Sequence, residues 1–202
     1  QRAWKLRSRE LSLNRPLILG ILNLTEDSFS GDGVGTDLTA ALGRAEELRA
    51  AGANIIDVGA ETARADRPVM DMQQEAELVR PIVAALVREG HVVSIDTYKP
   101  LVARSALFSG AEIVNDISGL TLGLGAAQEA ARAGAGYILN YSYSVPKRRP
   151  ESPPVYADVV AETVDWMARR TWQLETNGVK RESIAIDPGI AFGKSHAEDV
   201  AL

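Results

Sequence analysis

Residues 91–116 read HVVSIDTYKPLVARSALFSGAEIVND. The apolar run from His91 to Asp96, rich in Val and Ile, has the composition and length of a strand. From Lys99 to Ser109 the apolar residues recur three or four apart, which is the period of an amphipathic helix. Gly110 stands just past the last periodic residue, where a helix needs a left-handed backbone to stop. A second run, Glu112 to Asp116, then closes a strand–helix–strand unit. Strands joined in this way lie parallel, because the helix carries the chain back across the sheet.

The same rhythm extends in both directions. Leu17 to Asn23, Asn54 to Gly59, Gly136 to Asn140 and Ser183 to Asp187 are strand-like, and Leu38 to Ala51, Asp71 to Glu89, Leu124 to Ala133 and Ala157 to Asn177 are helical. Gly52, Gly90, Gly134 and Gly178 serve as further stop signals. Residues 1–202 therefore read as one α/β domain with a parallel sheet. The units either close into a (β/α)8 barrel or open into a doubly wound sheet, and their number alone does not decide between the two. The Pro- and charge-rich stretch from Val145 to Val155 reads as a surface loop.

Composition narrows the function. Of 202 residues, 46% are hydrophobic and 24% charged, as in a globular chain with a substantial core. The net charge of -5 is spread along the chain, and there is no basic block to hold nucleic acid. Without cysteine the chain has no disulfide, thiolate nucleophile or Cys-ligated metal, and two histidines exclude a three-histidine site. Apolar runs are far shorter than the roughly 20 residues that span a bilayer. The basic start, Arg2 to Arg9, leads into Asn14-Arg15-Pro16 instead of a signal-peptide core, so no membrane contact and a cytoplasmic location are expected.

In parallel α/β folds the site lies beyond the carboxyl ends of the strands. Here those ends are polar: Asn23, Asp57, Asp96, Asn115 with Asp116, and Asp187. A rim of carboxylates and amides suits a ligand with N–H donors along a planar edge, since one carboxylate accepts two such bonds. Each of these residues also has the ordinary reading of a helix cap or turn, and only their repetition across strands favours a site. Ser30 to Gly35 is glycine-rich but matches neither G-x-G-x-x-G nor a P-loop. Lys194, after Phe192 and Gly193, is placed to reach a ligand carbonyl or anion, or equally to lie in solvent. His91 begins a strand, so it falls at the opposite rim, and His196 reads as a helix-start residue.

GILNLTEDSFS, from Gly20 to Ser30, and GANIIDVGAETAR, from Gly52 to Arg64, resemble two signatures, GILNVTPDSFS and GAxIIDVGGESTR, of the dihydropteroate synthase family. Ser94-Ile95-Asp96-Thr97, Ile113 to Ile117, and Asp187-Pro188-Gly189 through Phe192-Gly193-Lys194 match further motifs in the family's order. The resemblance implies a TIM (β/α)8 barrel, with about six β/α units present in this chain.

It also implies an activity: joining 6-hydroxymethyl-7,8-dihydropterin pyrophosphate to p-aminobenzoate with Mg2+ assistance, in a homodimer. By motif, Asp96, Asn115 and Asp187 would hold the pterin ring edge, with Asp57 a neighbouring pocket carboxylate. Ile117 and Phe192 would flank the ring, Asn23 would lie near the pyrophosphate and its magnesium, and Arg64 would be the second-loop arginine. Asp96, Asp187 and Lys194 are the residues expected to carry the chemistry. No protein nucleophile is needed, since loss of pyrophosphate gives a methylene cation that the aniline nitrogen attacks. The loops at Thr25 to Gly35 and Thr62 to Arg67 would close over it.

The departures are local. Glu26 stands where the family has Pro, and Ala63 and Ala65 replace Thr and Pro beside Arg64. After the fifth strand, Leu139 to Pro146 reads LNYSYSVP where the family reads LMHMxGxP. The family's later SxK-type segment and terminal Arg–His motif have no counterpart. The natural chain is accordingly expected to continue past Leu202, and a chain ending there is expected not to turn over. A non-catalytic pterin-binding paralogue is the alternative reading, and a pterin-dependent methyltransferase a weaker one.

Overall fold

The apolar runs become strands and the periodic segments become helices in the computed structural model, which describes residues 2–24, 37–62, 68–143, 146 and 154–202. A short hairpin, β1 (Ala3–Lys5) and β2 (Glu10–Ser12), precedes β3 (Leu19–Asn23), α1 (Leu38–Ala50), β4 (Ile55–Gly59) and α2 (Met72–Arg88). Then follow β5 (Val93–Asp96), α3 (Pro100–Phe108), β6 (Ile113–Asp116), α4 (Gly125–Ala133), β7 (Gly136–Asn140), α5 (Val159–Thr176), β8 (Ile184–Asp187) and α6 (His196–Ala201). Local chemistry sets the helix starts. Asp37, Asp71 and Asp158 cap α1, α2 and α5 by accepting N–H bonds from the first turn, and Pro100 opens α3.

Strands β3 to β8 form one parallel sheet in chain order, so each strand pairs with the next in sequence. That order belongs to successive units of a (β/α)8 barrel, since a doubly wound sheet would reverse direction at a switch point. Because side chains alternate along a strand, the register separates two faces. Leu22, Ile56, Val58, Ile95, Val114 and Leu139 are buried against Val79, Val83, Leu86 and Val102 of the helices. The other face carries Ile55, Ile113 and Ile138 at its base.

The hairpin closes that base. Trp4 and Leu6 pack on Ile55, Ile113 and Ile138, and the Trp4 indole N–H donates to the Ser183 carbonyl at 2.8 Å. Gly136 permits the approach, since a Cβ there would lie 2.6 Å from Leu6. Glu112 holds the hairpin turn, accepting from the Ser8 backbone and hydroxyl and pairing with Arg9 at 2.6 Å. The sequence reading had no element before Leu17. Three-residue strands are too short to show a period, and only tertiary packing defines them. Most of the Val145 to Val155 stretch, the first loop and the second loop after Thr62 fall outside the described residues.

Candidate functional site

With the base sealed by apolar side chains, polar groups collect toward the carboxyl ends of the strands. Asn23 pairs with Gly59, Gly59 with Asp96, and Asp96 with Asn115. These residues share one level on the interior face. A Cβ at Gly59 would lie 3.4 Å from Asp96 Oδ2 and 3.7 Å from Asn23 Oδ1, so both side chains lean over the gap that glycine leaves. One level deeper, Asp57 pairs with Ser94, and Asp57 Oδ2 accepts from Asn115 Nδ2 at 2.9 Å. Asp57 thereby fixes the Asn115 amide.

Asp187 completes the arrangement from β8. Asn115 pairs with Ile138 and Ile138 with Ala185, and Asp187, two residues on, faces the same way. Its Oδ1 accepts from the Gly189 N–H at 2.8 Å, bending the chain after the strand. Asp96, Asn115 and Asp187 therefore converge on one mouth. Asp116 does not join them. It faces the helices, buried, and accepts from the Ser118 and Leu120 N–H groups and the Tyr137 hydroxyl at 2.7 Å. Alternation along β6 sends neighbours to opposite sides, which grouping Asn115 with Asp116 overlooked.

Charge is concentrated here. Burial pushes the Asp96 carboxyl well above the usual carboxylate range, and Asp57, Glu75, Asp116 and Glu61 push it further. Burial likewise raises Asp57, with the Ser94 and Asn115 side chains opposing. An acidic mouth of this kind favours a ligand that brings N–H donors, because their bonds stabilise the ionised carboxylate.

Lys194 is not a solvated loop side chain. Its Nζ donates to the Pro188 and Gly189 carbonyls at 2.9 and 3.0 Å and lies 4.1 Å from the centre of the Tyr141 ring. Burial lowers its pKa, against Asp199, Asp187 and Glu198. Two of its three N–H donors are engaged. Phe192 stays exposed on the same loop, while Ile117 lines a cleft with Asp96, Thr97, Tyr98, Glu61 and Thr62. His91 precedes β5 at the opposite end, and His196 starts α6 in solvent. Arg64 lies outside the described residues.

Sequence reading missed a buried ion cluster beside the cleft. Lys99 Nζ donates to Glu61 and to the Met70 carbonyl, each at 2.7 Å, and also to Glu75. Glu61 in turn accepts from the Tyr98 hydroxyl and the Met70 N–H, both at 2.6 Å. Burial alone would raise Glu61, but Lys99, Tyr98 and the Met70 N–H together hold it below the usual range. The available signal was a lysine directly before Pro100 and a glutamate just past β4, two charges next to apolar runs. Among the described residues, no group of three or more His, Asp or Glu could hold a metal alone, and no helix is long and apolar enough to cross a membrane.

An acidic and amide-lined mouth above a sealed parallel barrel base defines an enzyme-type small-molecule site. Residues 19–202 match the family of pterin binding enzymes. The dihydropteroate synthase of Escherichia coli K12 is 37% identical over 193 residues, covering 95% of this chain and 68% of that protein. The Yersinia pestis dihydropteroate synthase, solved with a sulfonamide drug, superposes with a TM-score of 0.89 at 33% identity, covering 99% of this chain and 72% of that one. The Burkholderia cenocepacia enzyme, complexed with 7,8-dihydropteroate, gives 0.82 at 35% identity, covering 96% and 65%. The chain belongs to the dihydropteroate synthase family, transferases of folate biosynthesis.

Proposed function

We propose that the protein, in whose barrel domain residues 1–202 supply six β/α units, binds 6-hydroxymethyl-7,8-dihydropterin pyrophosphate at this mouth and transfers its methylene to p-aminobenzoate. The observation that carries the reading is the convergence of Asp96, Asn115 and Asp187 on the interior face of a chain whose relatives are synthases. Asp96 and Asp187 accept ring N–H bonds, and Asn115, fixed by Asp57, binds beside them. Lys194 keeps one N–H for the ring carbonyl or the departing anion. Ile117 and Phe192 supply the flanking surfaces, and Arg64 belongs to the aminobenzoate side.

The reaction breaks the methylene–oxygen bond and forms a methylene–nitrogen bond, with pyrophosphate taking the electron pair and the aniline nitrogen releasing a proton. The residues named so far position the ring and stabilise developing charge; none forms a covalent intermediate. Carboxylates around the ring stabilise the positive charge that develops on the methylene as the pyrophosphate departs.

Magnesium fits the mouth as an ion shared with substrate. Asn23 offers one amide oxygen beside Asp96, and Mg2+ commonly takes few protein ligands and completes its shell with phosphate oxygens and water. When bound, it would neutralise charge on the departing pyrophosphate. A cytoplasmic setting and pairing of two copies complete the reading. Light scattering that shows a monomer at all concentrations would remove the pairing.

Titration calorimetry with the pterin pyrophosphate and then p-aminobenzoate, with Mg2+ and product analysis, tests the proposal. Binding of both with dihydropteroate formed supports a synthase. Pterin binding without condensation supports the non-catalytic paralogue, to which the altered residues beside Arg64 and after β7 point. No pterin binding defeats both.

A further inference from the structure

Buried polar atoms are nearly always paired. One that is not lies on the interior face of the sheet: Asn140 Oδ1. Asn140 ends β7, is 2% exposed, and pairs in register with Asp187 on β8. It faces the same way as Ile138, two residues earlier, whose side chain packs in the interior base cluster. Its Oδ1 is 3.0 Å from where a Cβ of Gly189 would stand, so the missing side chain at Gly189 leaves room for this oxygen. Sheet spacing puts Asn140 and Asp187 roughly 5 Å apart, side by side above the level of Asp96 and Asn115.

We propose that Asn140 is a specificity-determining residue of the ring pocket, its Oδ1 accepting an N–H of the ring edge beside the one taken by Asp187. This inference rests on the pterin reading and sharpens it. Two neighbouring acceptors on adjacent strands select a heterocycle with adjacent N–H donors, such as an exocyclic amino group next to a ring amide. The family resemblance would place Met at this position, and a thioether cannot make such a selection. A buried carbonyl oxygen kept without a partner costs stability in the empty protein, and a ligand N–H offsets that cost.

Calorimetry and thermal melting of Asn140→Leu and Asn140→Met test this. The probes are the pterin pyrophosphate and analogues in which the exocyclic amino group is removed, the ring amide is N-methylated, or the ring is oxidised so that N8 loses its hydrogen. Both variants should melt at or above the wild-type temperature yet bind the parent about tenfold more weakly, which corresponds to 1.4 kcal/mol. For at least one analogue that difference should vanish, identifying the N–H concerned. Parent affinity within twofold of wild type in both variants overturns the inference and leaves the pterin reading standing. So does an equal loss for every analogue, or a lowered melting temperature in both variants. A wild-type protein that binds no pterin overturns both.

Discussion

Asp96 carries opposed demands at the level of a single residue. Under the proposed function its carboxyl meets a ring edge from a buried position, and burial together with Asp57, Glu75, Asp116 and Glu61 raises its pKa well above the ordinary value. A carboxyl whose pKa is raised by folding binds more protons in the native state, so stability falls as pH rises from the ordinary aspartate range toward the raised value. Asp96→Asn should flatten that slope in urea denaturation followed from pH 4 to 8. An unchanged slope would mean that Asp96 is not the group responsible. Ala191, at φ +64°, holds a left-handed backbone that costs a residue with a Cβ. Its N–H is tied to the Asp199 carboxylate. Ala191→Gly should stabilise the protein by roughly 1 kcal/mol, read from the urea midpoint. The meeting of the polar strand ends was legible because alternation and strand ends are sequence properties. Which of Asn115 and Asp116 faces the mouth was not, because that depends on which face of β6 the helices cover.

Among elements, the helices and central strands were legible because each agrees with its own apolar period and glycine stop. Gly52, Gly90, Gly110, Gly134 and Gly178 all have positive φ, as their positions foretold. The ion cluster between β4, α2 and the start of α3 was not legible, since it joins residues far apart in sequence. Lys99 ties Glu61 to Met70 and to Glu75, holding the two ends of the segment between β4 and α2. Lys99→Met removes the Lys99 cation from two buried carboxylates, and the expected loss is about 3–5 kcal/mol by denaturant unfolding. A loss below 1 kcal/mol would show that the cluster is not coupled to folding. Glu61, whose pKa is lowered on folding, adds stability that is present above the ordinary glutamate range and lost as pH falls through its native value. In the wild type this gives an acid-side decline that Lys99→Met should blunt.

At the scale of the whole molecule, the described residues form six consecutive parallel β/α units on an apolar base closed by the hairpin, and the chain spans 68% of the length of its Escherichia coli relative. Trp4 anchors that base, and Trp4→Ala should cost roughly 3–5 kcal/mol, seen as a lowered melting temperature with the pterin affinity of the folded fraction retained. Retained affinity would separate support of the barrel from recognition at its mouth. The central claim is that carboxylates on the interior face grip a pterin by its N–H edge. Calorimetric titration of wild type, Asp96→Asn and Asp187→Asn with the pterin pyrophosphate measures this directly. Each substitution should weaken binding by about 1.5–3 kcal/mol, since an N–H loses its charged acceptor. Equal affinity in all three proteins, with the fold intact, would contradict the account.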